Sequence, residues 1–306
     1  MVEEEHPRQM TSQAGPMAEI SDRVRRQPDS VPVGLATLLL GPATAVVAMA
    51  MVIPLIAFAR YGFNSYDRIE LMKQAWDIGN YVRFFSDPFF LGVLLRTIGM
   101  AFLATVLCLA IGFPIAFQLV RTQSRFKSIA VFLIVLPLFI SGTIRCVGWM
   151  IVLARGSLLD TVIVTVSGAR IDLMHTTLAV LFGIASFNLP YLILTLQSAI
   201  EGVDMELQQA AEGLGATPQR AFWRVIWPLA FPGVVVAAIL SFVLAMNAYA
   251  APVLLGGPRF QMMAPLLYWE FGTQNNWPMA SVVAFVIMGT TLLLVGIASA
   301  LLLRRR

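Results

Sequence analysis

The chain reads as an all-α, polytopic membrane protein with six transmembrane helices, and three observations predict it. Of its 306 residues 58% are hydrophobic and only 12% charged, with a mean hydropathy of +0.79, too apolar for a soluble domain of this length. Six apolar runs, each long enough for the ~20 helical residues that cross a ~30 Å hydrocarbon core, follow one another along the chain. The cationic residues lie almost wholly between those runs. A net charge of +4 spread in this way is topology information and headgroup contact, so membrane lipid is an expected partner and nucleic acid is not.

Residues 1–33 are polar, with Glu3-Glu4-Glu5 and Arg23-Val24-Arg25-Arg26, too acidic and too long for a signal n-region. They are expected to form a retained, disordered cytoplasmic tail ahead of a six-span domain over 34–306. The first span is about 34–59. A mixed stretch to Pro88 follows, in which Trp76, Tyr81, Phe84 and Phe85 suit a membrane-interface belt around a short surface helix. The second span is about 91–120, and Arg121, Arg125 and Lys127 then make a short basic loop. The third is about 128–153, the fourth about 177–199 after a loop through Asp172, the fifth about 233–255 and the sixth about 279–303. Six spans put both termini on one side. The tails and even-numbered loops carry twelve of the 21 Lys and Arg against eight in the odd-numbered loops, with Arg96, at the outer end of the second span, counted among them, which places the termini in the cytoplasm. Cys108 and Cys146 fall inside spans and read as small packing residues, and no metal site is expected.

Between the fourth and fifth runs lies the one long polar segment flanked by apolar ones, residues 201–232. Asp204 suits an N-cap, and Leu207, Ala210, Ala211 and Leu214 fall on one helical face. Gly213 and Gly215 end that helix. Thr217 and Pro218 supply the cap and first position of a second helix expected to reach Ile226, with Pro228 and Pro232 marking the return to the membrane.

Gln209-Ala210-Ala211, then Gly215, then Val225-Ile226-Trp227-Pro228 resembles the cytoplasmic two-helix coupling loop of type I ABC importer permeases, whose pattern is Glu-Ala-Ala, three residues, Gly and later Ile-x-Leu-Pro. Gln209, Trp227 and Val225 depart from it in residue type but not in spacing. Asn80-Tyr81-Val82-Arg83-Phe84-Phe85 and Gly112-Phe113-Pro114-Ile115-Ala116-Phe117 are similar to spermidine/putrescine permeases. The resemblance implies a multi-pass subunit of a bacterial inner membrane, working with a second permease, two ATPase subunits and a periplasmic solute-binding protein to import polyamines. It also implies an ATPase-coupling set of Leu207, Gln209, Ala210, Ala211, Leu214, Gly215, Phe222, Val225, Ile226 and Pro228. Other small solutes, namely an opine, an amino-acid-like compound or ferric ion, are alternatives, as is a channel or scaffold without energy coupling.

The residues themselves offer no power source. Neither Lys73 nor Lys127 follows a phosphate-cradling glycine loop, and the apolar runs hold no Asp or Glu for a proton relay. No nucleophile elbow, His-Glu-x-x-His or Cys cluster is present, so no catalytic residue and no cofactor are assigned, and ATP is expected to be used by a partner. Arg145, inside the third run, serves either as a pathway residue or as a carbonyl-bonded anchor. Asn188, Asn247 and Tyr249 either line a translocation path or bond one helix to another.

Overall fold

The structure is a computed structural model that describes residues 33–67, 69–122, 125–167, 172–204, 206–258 and 260–303. The expected tail over residues 1–33, Val33 apart, and the terminal Arg304-Arg305-Arg306 lie outside them. The chain divides into two units, residues up to Ala57 and residues from Phe58 onward. Within the described residues the first is helical throughout, as part of α1, Val33–Tyr61, with Pro42 and Pro54 inside it.

The second unit begins with an antiparallel hairpin, β1 Ser65–Asp67 and β2 Leu71–Lys73, in which Tyr66 faces Met72. The Asp67 side chain closes the turn. It pairs with Lys73 and accepts from the Ile69 and Glu70 amides at 2.8 and 3.2 Å, which hold its carboxyl at about 2. Helix α2, Gly79–Ser86, leads into α3, Pro88–Arg121, whose start is set by Asp87 accepting from the Phe89 amide at 2.9 Å with Pro88 at the first position.

Further on come α4, Phe126–Val135, running into a 3₁₀ turn Leu136–Phe139, then α5, Gly142–Leu153, α6, Leu158–Ser167, and α7, Thr177–Glu201. The polar loop holds α8, Glu206–Gly213, and α9, Pro218–Ala221. After it come α10, Trp227–Met246, α11, Ala250–Leu255, α12, Met263–Gly272, and α13, Trp277–Leu303. Six stretches are long and apolar enough to cross a membrane: Gly41–Tyr61, Pro88–Arg121, Gly142–Val162, Thr177–Glu201, Pro218–Met246 and Trp277–Ala300.

Helices α3, α7 and α10 form the centre of the second unit. They approach closely because small residues meet: a Cβ added at Gly233 would lie 2.2 Å from that of Ala199. One packed cluster, including Cys108, Ala116, Leu196, Ile200, Ala230 and Val234, fills the end nearer the polar loop. A second, including Phe84, Phe90, Met246, Met263, Leu266 and Met279, fills the far end. Polar bonds tie the helices together. Asn188 donates to the Ser241 carbonyl at 2.9 Å, and Thr97 Oγ1 accepts from the Met263 amide at 2.9 Å while donating to Val93. Both cysteines are buried and free.

Five expectations are corrected. The third span is not one helix over 128–153: backbone at Ile140 and Ser141 is extended, because Pro137 lacks the donor and crowds the preceding turn. The stretch long and apolar enough to cross is instead Gly142–Val162, through the turn at Ala154–Ser157 and into α6. Helix α6 itself was expected as loop. Ser157 Oγ accepts from the Asp160 amide at 3.2 Å and Asp160 accepts from the Gly156 amide at 2.8 Å, a near-reciprocal cap that starts it.

The fifth span begins before Gly233 and stops at Met246, where Asn247, Ala248 and Tyr249 break the helix. Pro228 and Pro232 do not turn the chain. A π-helical turn, Phe222–Ile226, in which the Trp227 amide reaches back to the Phe222 carbonyl, widens the helix just ahead of Pro228, and Pro228 falls in the first turn of α10, where a missing donor is tolerated. Phe84 is not at an interface but fully buried against Phe90, their ring centroids 5.3 Å apart.

Candidate functional site

The polar loop is built as its residues predict. Asp204 Oδ1 accepts from the Glu206 amide at 2.8 Å, and Thr217 Oγ1 accepts from the Arg220 amide at 3.3 Å. Gly215 adopts φ +91°, a left-handed turn that side chains resist, with open space around it. The start of the loop is held by Glu201, which accepts from Lys127 and from Gln197, both at 3.1 Å.

Helix α8 places its apolar residues outward. Leu207 is 47% exposed and Leu214 91%, while the one buried side chain is Gln208, 3% exposed and donating to Glu212 at 2.7 Å. Gln209 and Ala210 are exposed and Ala211 half-buried. Sequence patterning gave no sign of Gln208 as the anchor, because its i+4 partner Glu212 looks like surface until the helix is seated.

The coupling set therefore splits. Leu207, Gln209, Ala210 and Leu214 are exposed, Leu207, Ala210 and Leu214 on one side of the helix as a ridge and Gln209 on another, and Trp223, 60% exposed and not singled out by the motif, is a further apolar side chain on the loop's surface. Phe222 and Ile226 point inward, Val225 is half-buried and Pro228 is exposed. The Phe222 ring lies 5.1 Å from Phe117 and 6.1 Å from Phe113 of α3, edge to face, and Trp227 lies 5.4 Å from Phe113. Arg121 caps this stack, its guanidinium 4.6 Å from the Phe117 ring. Packed rings thus join the loop to α3, and continuous backbone joins it to α10.

Toward the opposite end, Asn188, Asn247 and Tyr249 line one cavity of about 300 Å³ between α7 and the break after α10. Asn188 is 3% exposed and bonded to Ser241, and Asn247 donates to the Val243 carbonyl at 2.9 Å, so both amides also serve helix structure. Arg145 does not line it. Its guanidinium lies 3.9 Å from the ring of Phe187, which does, and donates to the Ser186 carbonyl at 3.2 Å. Trp149 donates to Ser186 Oγ at 3.1 Å beside it.

Beyond that cavity, Glu270 is 6% exposed. Burial raises its carboxyl above the ordinary value, opposed by a hydrogen bond from Asn276 and the charge of Arg83. Among the described residues no group of three or more His, Cys, Asp or Glu is placed to hold a metal ion.

A helical protein with six stretches long and apolar enough to cross a membrane, exposed apolar side chains on the polar loop between the fourth and fifth, and cavities away from that loop has the build of a membrane-embedded transport subunit. Residues 108–306 match the family described as the inner membrane component of binding-protein-dependent transport systems. The chain belongs to that family, the type I ABC importer permeases, and is a multi-pass transport subunit of the inner membrane. It is 32% identical over 246 residues to the spermidine/putrescine transport system permease protein PotB of Haemophilus influenzae, covering 80% of this chain and 85% of that one. It is 31% identical over 245 residues to PotB of Escherichia coli K12, covering 78% and 89%. Its fold is similar to a chain in the crystal structure of a bacterial ABC transporter that imports the acidic polysaccharide alginate, with a TM-score of 0.72 and 16% identity over 94% of this chain and 99% of that one.

Proposed function

We propose that this chain is one of two membrane subunits of an ATP-driven, binding-protein-dependent importer of the polyamines spermidine and putrescine. The observation that carries the reading is the ridge of Leu207 and Leu214, with Trp223 nearby, held outward on a loop whose inner side is locked into α3 by Phe222. Isolated apolar residues on a surface need no explanation, but a row of them on a capped, glycine-kinked knob is a protein contact. The identity to the two PotB proteins supports the polyamine assignment.

In this reading the loop and both termini face the cytoplasm, in keeping with Arg121, Lys127 and Arg220 at the loop end. A second permease stands beside this one, two ATPase subunits bind below, and a periplasmic binding protein delivers the solute. The chain holds no cofactor, and ATP is bound and hydrolysed by the partners. Because equal affinity for two pore states shifts nothing, the ATPases must prefer one of them, and the ridge is where that preference enters. Arg145, Asn188, Asn247 and Tyr249 then border the path.

The test is uptake of labelled spermidine into liposomes holding the full complex with binding protein outside and ATP inside. ATP-dependent accumulation is expected. Downhill leak without ATP, or accumulation of only a non-amine solute, refutes the reading.

A further inference from the structure

Three cavities stand in a row at the end away from the loop, and neighbours share a wall. The innermost, lined by Asn188 and Asn247, shares Tyr249 with a middle cavity of about 400 Å³. The middle one shares Trp269 with an outer cavity of about 520 Å³ lined by Arg83, Asp87 and Glu270. Neither of the last two was expected from sequence: the middle one is walled by α11, α12 and the segment joining them, and the outer one by α12 and the residues after it together with Tyr66 of β1, Arg83 of α2 and the start of α3.

The middle cavity offers aromatic faces and an acceptor without a donor. Tyr249 and Tyr268 have ring centroids 4.4 Å apart, with Trp269 beside them. Gln261 also lines it; its Oε1 is tucked beneath the wall and has no hydrogen-bond partner among the described residues, and a turn of the carboxamide presents it to a ligand. The remaining aromatic, Phe260, already carries the Arg96 guanidinium 5.5 Å from its ring, which leaves the Tyr and Trp faces for a ligand. Across Trp269 the Glu270 carboxylate is nearly enclosed, with Asn276 as hydrogen-bond partner and no ion-pair partner among the described residues. The outer cavity carries two carboxylates against one guanidinium, so it favours cations.

We propose that the middle and outer cavities together form a binding site for a linear alkylammonium, a staging site ahead of the innermost cavity, with one ammonium donating to Gln261 Oε1 over the tyrosine faces and another held by Glu270 across Trp269. This rests on the polyamine reading and names the residues that would select for it. Ammonium groups supply the donors the orphan acceptor lacks and are attracted to ring faces. Methylenes between them suit the indole wall. A neutral solute satisfies neither carboxylate, and an anion meets both.

Thr273 lines the middle cavity and is exposed, and the two native cysteines are buried, so Thr273→Cys gives a single accessible thiol in this chain, and labelling is read on this subunit alone after the subunits are separated. The full permease–ATPase complex carrying it, without binding protein, is labelled with a maleimide in the presence of spermidine or of 1,8-octanediol at matched ionic strength. Spermidine is expected to slow labelling about tenfold at roughly ten times its Kd, and the diol not at all. Adding Gln261→Leu or Glu270→Gln should remove most of that protection, whereas Gln261→Glu should increase it. Equal labelling with and without spermidine overturns the site, even if the same complex imports spermidine. Protection in a complex that imports no polyamine keeps the site and removes the importer reading instead. Protection unchanged by all three Gln261 and Glu270 variants overturns the assignment of these residues.

Discussion

The two ends of the second unit break the usual arrangement of polar and apolar groups in opposite directions. At the loop end Leu207, Leu214 and Trp223 are outside and Gln208 is inside. At the far end Glu270, Asn188 and Gln261 Oε1 are enclosed, while Tyr249, Tyr268 and Trp269 stand around open space. Exposed apolar side chains gain by association with a protein surface, and enclosed polar groups gain by meeting a polar ligand. In the reading proposed above, the difference means that one end is finished by a macromolecule and the other by a solute. Helices α3 and α10 run from one end to the other, and packed rings tie the loop to α3 at its own end.

The largest effect that tests this contrast is at the ridge. Leu214→Asp puts a charge where a partner should cover it, at a cost of several kcal/mol, and is expected to abolish co-purification of the ATPase subunits while leaving the permease folded. Normal co-purification would erase the difference between the ends. Phe222→Ala opens the ring stack on α3, and because Phe222 is only half-buried the cost falls below the ~3–5 kcal/mol of a fully buried aromatic. Docking is expected to survive because the ridge is untouched, but ATP hydrolysis should proceed with little uptake. Coupled transport at the wild-type ratio of solute to ATP would show that force passes elsewhere.

Gly215 sharpens the same point more gently. Space around it is open but φ is +91°, so Gly215→Val suffers backbone strain of about 1–2 kcal/mol rather than a clash. Gly215→Asn, which tolerates that region better, should transport more than Gly215→Val. Equal activity of the two would remove the kink from the account.

The smallest effect concerns the far end and acidity. Burial raises the folded-state Glu270 carboxyl above its unfolded value, so its contribution to stability is complete below the unfolded pKa and is lost as pH rises through the raised one. Glu270→Gln should therefore match wild type in melting temperature in acid and exceed it slightly at neutral pH. A variant less stable at neutral pH would mean that the carboxylate is structurally paired.

Much of this was legible because local chemistry and tertiary packing agree. Apolar runs marked the spans, and Asp204, Gly215, Thr217 and Pro218 marked both short helices of the loop. Legibility failed where one residue type has two uses. Pro228 reads as a helix breaker, yet the π-helical turn absorbs it. Pro137 lies in an apolar run that periodicity alone carries onward, and the chain breaks there. Asn188 and Asn247 were recognised as polar groups in spans, but their shared cavity depends on a helix break at Ala248 that hydropathy does not register. Helix α12 and the cavities around it were hidden in a Gly- and Pro-rich stretch that reads as loop.

The most direct test of the docking ridge is photo-crosslinking from position 214 in the purified importer. Placed at the tip of the knob, a photoreactive side chain is predicted to yield its main adduct with an ATPase subunit, and to lose that adduct when Ala211→Asp is added. Adducts mainly to lipid or to the solute-binding protein would contradict the account.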